Sequence, residues 1–272
     1  MKKLLALAVI TQLVFILAAC TGESAKKSVV AFVDQESKVD VMVNDQLFTS
    51  FVYGESMQGK VVTKPLLFPV LTPAGIKVNR SFPFAEVEGE NPDHPHHTGI
   101  FFTYDQVNGS GFWNNTQFPP HITDVEFLQK EGGETGTLKI KALWKDENDV
   151  ALLQEDRTMK FIPGDNQTTI DFSISLTAMV EKVVFADTKE GMFGIRVAHQ
   201  LREKDQSGHY LSSNGDEGEK NVWGKRANWV KLEGQIEGKD VGVAIINHPT
   251  STNFPTYWHA RSYGLFAANP LG

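Results

Sequence analysis

The chain holds a single cysteine, Cys20, among its 272 residues. One thiol excludes an internal disulfide and any thiolate-built metal centre, so stability must come from an ordinary hydrophobic core. No basic block is present: 26 Lys and Arg stand against 33 Asp and Glu, for a formal charge of −7. That balance argues against nucleic acid and anionic lipid as partners. Neither a phosphate-cradling loop nor a GxGxxG occurs, so no organic cofactor is expected. No apolar run after Cys20 approaches the roughly 20 residues a spanning helix needs. Internal repeats, low-complexity tracts and long segments of helical period are also missing.

What is there begins with the first twenty residues. Lys2 and Lys3 give a short basic start, and Leu4 to Leu17 is an apolar run broken only by Thr11 and Gln12. It ends in Leu17-Ala18-Ala19-Cys20. Small residues ahead of a cleavage point mark a secretory leader. The terminal Cys resembles a bacterial lipobox, which implies cleavage before Cys20 and lipidation of its thiol. The rival readings are an ordinary signal peptide and an uncleaved anchor, for which the run is short and interrupted. The expected organisation is a lipoprotein signal peptide over 1–19, a lipidated polar tether over 20–28 and one domain over 29–272. Losing residues 1–19 removes two lysines, so the charge falls from −7 to −9. The expected location is the cell envelope, lipid-anchored and facing the periplasm or the outer surface.

From Val29 onward the chain reads as strand after strand. Leu47, Thr49, Phe51 and Tyr53 alternate with Phe48, Ser50 and Val52. Leu138, Ile140, Ala142 and Trp144 alternate with three lysines and Leu143. Ile170, Phe172, Ile174 and Leu176 alternate with Asp171, Ser173 and Ser175. This period of two is that of half-buried strands. Asp240 to Ile246 is β-branched and apolar, and reads as a strand near a sheet centre. Gly, Pro and Asn clusters separate the runs. The pattern predicts an all-β, antiparallel β-sandwich with little helix. Its core should include Phe51, Leu67, Phe101, Ile140, Phe172, Ile174, Val243 and Ile245. Residues 79–97 and 202–226 are too long and polar for hairpin turns, and long loops on a rigid sandwich commonly carry a binding site.

The most unusual string is Asp93-His94-Pro95-His96-His97-Thr98-Gly99. In an extended chain His94 and His96 would point to one side and His97 to the other. A same-side pair could ligate a metal with a third group such as His259. Neutral imidazoles at a cleft could instead move protons. Asn108 and Trp113 follow in an amide- and glycine-rich stretch, Glu190 and Arg196 flank a glycine turn, and Trp258, His259 and Arg261 lie near the end. His259 and Arg261 share one side of a strand. Singly, each has a structural explanation: Trp113 and Trp258 as core residues, Arg196 as a partner of Glu190. Together they are the parts of a carbohydrate site, with aromatic faces for C–H surfaces and forked donors for hydroxyls.

Several strings also resemble one family: His94-Pro95-His96-His97-Thr98-Gly99, Asn108-Gly109 with Phe112-Trp113, Glu190-Gly191 with Gly194-Ile195-Arg196, Trp223-Gly224-Lys225-Arg226-Ala227, His248-Pro249, Trp258-His259-Ala260-Arg261 and Asn269-Pro270. The chain resembles, from about Pro65 to its end, the bacterial secreted family labelled "methane oxygenase PmoA". The resemblance implies a galactose-mutarotase-like sandwich found alongside sugar-processing proteins. It also implies further strands after Asn269-Pro270, so that this chain, ending at Gly272, is truncated and leaves a sheet edge open. The activity in the label does not carry over, because the methane monooxygenase subunit is an integral membrane protein.

The expectation is a sugar- or glycoside-processing lipoprotein. His96, His97 and Glu190 would supply acid–base chemistry. Asn108, Trp113, Arg196, Trp258, His259 and Arg261 would bind substrate. The alternatives are a non-catalytic glycan-binding lipoprotein and a metal-dependent enzyme using His94, His96 and His259; no metal is favoured.

Overall fold

The computed structural model of the protein describes residues 28–272. Cys20 and the leader lie outside the described residues. Strands β1 (Val30–Asp34), β2 (Lys38–Val43) and β3 (Gln46–Val52) form a meander, followed by a small hairpin of β4 (Ser56–Met57) and β5 (Lys60–Val61). Strands β6 (Leu66–Val70) and β7 (Ile100–Tyr104) bracket the histidine segment. The long strands β8 (His121–Glu131), β9 (Gly136–Lys145), β10 (Ala151–Pro163) and β11 (Thr168–Ala178) run up and down in sequence order. Then come β12 (Gly191–Arg196), β13 (His209–Ser212), β14 (Trp229–Ile236), β15 (Lys239–Ile246), β16 (Tyr257–Ala260) and β17 (Leu265–Asn269). Helix among the described residues is limited to single turns at His199–Leu201 and Glu219–Val222.

The strands pair antiparallel in an eight-stranded sheet ordered β1-β2-β3-β6-β7-β12-β17-β16, a four-stranded sheet β11-β10-β9-β8 and a three-stranded sheet β13-β14-β15. The fold is all-β and sandwich-like, as the alternating patterns predict. Pairing fixes which side chains share a face of the large sheet. Leu67 sits opposite Ile100, Phe102 opposite Phe193, Phe193 opposite Ala268, and Ala268 opposite Trp258. These residues form the inner face. Over β1–β7 it packs on the four-stranded sheet, in a core that holds Phe51, Leu67, Ile140, Trp144 and Phe161. Toward β16 it packs on the three-stranded sheet, in a second core with Ile195, Leu232, Trp258 and Phe266.

The first core contains one buried charge pair. Trp144 donates its indole N–H to Glu155 at 2.9 Å, and Arg157 Nε donates to the same carboxylate at 2.6 Å. Both Glu155 oxygens are thereby satisfied, which a buried carboxylate requires.

Two expectations need correction. The strand over Asp240–Ile246 is not central: β15 is the edge of the three-stranded sheet, and Ile246 is 74% exposed. For the same reason Val243 and Ile245 on β15, and Phe172 and Ile174 on the edge strand β11, are half-buried against the cores rather than sealed inside them. A strand's composition cannot say how many neighbours it has. Residues 202–226 also hold more structure than a loop, since they include β13 and the turn of helix at Glu219–Val222.

The opposite face of the large sheet carries the remaining register positions. Phe101 faces Gly194, Gly194 faces Ala267, and Ala267 faces His259. Arg196 lies two residues beyond Gly194, on this same face. A third, smaller core of Phe84, Phe101, Trp113 and Leu265 covers part of it. The segment 79–97 contains no strand and lies over this outer face.

Candidate functional site

The outer face is organised by two buried arginines around one carboxylate. Arg80 reaches along the 79–97 segment and donates to the carbonyls of Asn91, Asp93, His94 and His97, at 2.8 to 3.2 Å, and to Asp93 Oδ1 at 2.8 Å. One side chain thus replaces the backbone partners that a strand would supply. Glu90 does the same from the acceptor side, taking the N–H groups of Ser81 and Phe82 at 2.8 to 2.9 Å. Arg196, from the end of β12, donates to Asp93 Oδ1 at 2.9 Å and lies 3.4 Å from His97 Nδ1. Burial works against ionisation of Asp93, but Arg196, the bond from His94 and Arg80 together hold its carboxyl below the usual range. Gly99 closes the segment with φ +56°, where a Cβ would come 2.0 Å from the carbonyl oxygen of Leu67. Only glycine fits that approach.

The histidine string is a turn, not an extended strand. His94 has φ +43° and its carbonyl accepts the His97 N–H at 3.0 Å. The expectation that His94 and His96 point away from His97 therefore fails, since the turn gathers all three rings. His94 stacks on His97 at 5.0 Å, and His96 meets His97 edge-on at 4.3 Å. Burial is the main force that pulls the His96 imidazole down to about 3, aided by the charges of Lys64, His94, Arg80 and Arg196. His97 is pushed well below its ordinary value by burial and by His96 and Arg196. Both rings are therefore neutral at pH 7. His97 is 2% exposed and stands behind His96, while His96 is half-buried and reaches the surface.

Tyr263 connects this cluster to the end of β16. Its ring stacks on His94 at 5.2 Å, and the Arg196 guanidinium lies over it at 4.6 Å. Arg261 lies over Tyr263 at 5.7 Å and over the exposed Trp223 at 4.7 Å. Its Nε is 3.1 Å from Glu219. His259 Nδ1 is 3.8 Å from Glu190, whose closest partner is Lys189. Burial, opposed by Glu190 and reinforced by Arg261, holds His259 near 4, so this contact is a neutral imidazole beside a carboxylate. His96, His97, Arg196, His259, Arg261 and Glu190 thus belong to one continuous network that passes through His94 and Tyr263.

Three expected substrate-binding residues lie elsewhere. Trp113 is fully buried against His97 and Phe101, and Trp258 is fully buried with its N–H on the Ala227 carbonyl at 2.9 Å. Neither presents a free ring face. Asn108 spends its side chain on the Lys182 carbonyl at 3.0 Å and the Val184 N–H at 2.7 Å, and so links two loops. The aromatic surface of the site comes instead from Trp223, which is exposed, and Tyr263, which is half-buried. Among the described residues, no three His, Cys, Asp or Glu side chains group to hold a metal. His94, His96 and His259 do not form a ligand set, because the turn places His94 against Tyr263 and His96 against His97, while His259 lies beside Glu190 and Trp223.

Sequence reasoning also missed Arg80, Lys64 and Tyr263. Tyr263 sits in the turn between β16 and β17, two residues beyond Arg261, where no strand period applies. Lys64 sits within a run, Val61 to Phe68, that is apolar apart from Thr63, where a charge is conspicuous. It lines a pocket of about 250 Å³ beside His96, with Phe82, Phe84, Thr98 and Thr116.

These features define an antiparallel β-sandwich protein with a basic, aromatic-edged site on the outer face of its main sheet. The chain belongs to the family described as "Family of unknown function (DUF6807)", whose model matches residues 38–272. No curated protein and no solved structure matches it. Among the described residues no helix is long and apolar enough to cross a membrane.

Proposed function

We propose that the protein is a lipid-anchored cell-envelope lipoprotein that binds and processes a sugar or glycoside on the outer face of its eight-stranded sheet. The observation that carries this reading is the Arg261 guanidinium lying over both Trp223 and Tyr263, with Glu190 and His259 3.8 Å apart in the same network. A sugar ring needs an aromatic face for its C–H side and a planar cation for vicinal hydroxyls. Both stand here beside a half-buried carboxylate. The resemblance to the PmoA-labelled, mutarotase-like family supports the same ligand class. The lipid anchor on Cys20 is the one membrane contact in this reading, and nucleic acid has no part in it.

Glu190 is the proton acceptor of this reading. His259, neutral, stands 3.8 Å from it with its Nδ1 unpartnered. His96 offers a neutral imidazole at the pocket mouth, and His97 supports it from behind. The neutrality of His96, His97 and His259 also favours a second reading, a binding module without chemistry, because no imidazolium acid is present at neutral pH. Turnover on a panel of glycosides and reducing sugars separates the two. The enzymatic reading expects product with the native protein and a fall in kcat of at least 100-fold in Glu190→Gln with KM little changed, an effect on the order of general-base catalysis. Binding without turnover on the whole panel would leave the module.

A further inference from the structure

We propose that the pocket beside His96 is an anion subsite in which Lys64 receives a carboxylate, so that the sugar this protein takes is acidic: a uronic acid or a uronate-bearing glycan. The inference rests on the sugar reading for the body of the ligand and on Lys64 for its charge.

Lys64 is 3% exposed and lines the pocket. Among the described residues its ammonium has no ion-pair or hydrogen-bond partner, and it lies over the Phe101 ring at 5.5 Å. Buried ammonium groups are otherwise paired, since desolvation disfavours the charge. Burial alone draws this amine down to about 7. The groups that feel its charge are His96 and His97, both neutral. Lys60 also lines the pocket, from the exposed hairpin, and no acidic side chain does.

The nearby carboxylate of Asp93 is already committed to Arg80 and Arg196. The neighbourhood therefore sets three buried cationic side chains, Lys64, Arg80 and Arg196, against two carboxylates, Asp93 and Glu90. An incoming carboxylate would balance that excess. It would also supply the missing acceptor for Lys64.

The rest of the pocket suits a sugar acid. Phe82 and Phe84 give apolar faces, while Thr98 and Thr116 give hydroxyls. Its volume of about 250 Å³ lies just under the roughly 300–1,000 Å³ of drug-sized sites, which leaves room for a single ring. Phosphate fits less well. Phosphate sites use several forked or backbone donors, and here both arginines are spent on Asp93 and on loop carbonyls. A single ammonium matches a monovalent group.

Calorimetric titration of the protein with D-galacturonate, D-glucuronate, D-galactose, D-glucose, acetate and inorganic phosphate tests this. The expected result is that one uronate binds at least tenfold more tightly than its neutral counterpart, and that Lys64→Met abolishes the preference. Uronate affinity should also fall by up to tenfold per pH unit above 7, because the amine must be protonated to pair. That pH series needs no variant, so it decides the matter even if Lys64→Met misfolds. Lys64→Met should melt at or above the native temperature, since it removes an unpaired buried charge. If the neutral sugar binds as tightly as its uronate, the anion subsite is overturned and the sugar reading survives. If acetate or phosphate binds through Lys64 and no sugar does, the sugar reading fails and the acidic-sugar proposal with it. Failure of every acidic probe to bind also overturns the proposal.

Discussion

The imidazole of His94 lies parallel to the phenol ring of Tyr263, with centroids 5.2 Å apart and planes within 10°. This contact joins the histidine segment to the strand end that carries Arg261. Replacing Tyr263 with Ala should separate the two halves of the site. The expected cost is about 1–3 kcal/mol, from the lost area of a half-buried ring and roughly 0.5–1.5 kcal/mol of stacking. Tyr263→Phe keeps the stack and should stay within about 1 kcal/mol of the native protein in urea unfolding. Equal losses in both variants would assign the stability to the hydroxyl instead.

Asp93 holds two buried arginines at once. Asp93→Asn keeps the shape and removes the charge, leaving Arg80 and Arg196 uncompensated. Breaking a buried pair costs about 3–5 kcal/mol; Asp93 is one-third exposed, so roughly 2–3 kcal/mol is expected after screening. The pH dependence has a definite sign. The folded carboxyl titrates below its unfolded value, so its contribution is complete above the ordinary carboxylate range and fades as pH falls through the folded value. Unfolding curves of native protein and Asp93→Asn should therefore differ at pH 7 and converge in strong acid. A constant difference across that range would rule out a charge effect.

Trp223 and Trp113 should respond in opposite ways. Trp223 is 43% exposed and Trp113 is fully buried. Trp223→Ala should leave thermal stability within about 1 kcal/mol while weakening sugar binding by roughly tenfold. Trp113→Ala should cost about 3–5 kcal/mol by opening a cavity under His97. A melting scan and a titration on each variant check both. Sugar affinity unchanged in Trp223→Ala would remove that ring from the site.

The sandwich was legible because strand period and burial share one cause. Leu138, Ile140, Ala142 and Trp144 are all fully buried on β9, as their alternation requires. Strand order was not legible, since nothing in Asp240–Ile246 says that β15 has a single neighbour. Within the site, His259 and Arg261 were placed on one side by counting residues. The histidine turn defeated that count, because a left-handed His94 and a prolyl residue break the period of two. Arg80 escaped notice for a different reason. Its role is to satisfy carbonyls eleven to seventeen residues away, a task with no local pattern. Trp113 and Trp258 show the reverse error, where chemistry suited to a ligand serves the core.

The central claim is that the shelf formed by Trp223, Arg261 and Tyr263 holds a sugar ring. The most direct measurement is glycan binding by the native protein and by Arg261→Ala on one panel of neutral and acidic saccharides. Loss of a planar hydroxyl clamp is worth roughly 1.4–2 kcal/mol, about 10- to 30-fold in affinity. The account predicts that the native protein binds a defined subset and that Arg261→Ala loses at least tenfold on that subset while its melting temperature stays close to native. Binding of the same glycans with the same affinity by both proteins, or no glycan binding by the native protein, would contradict it.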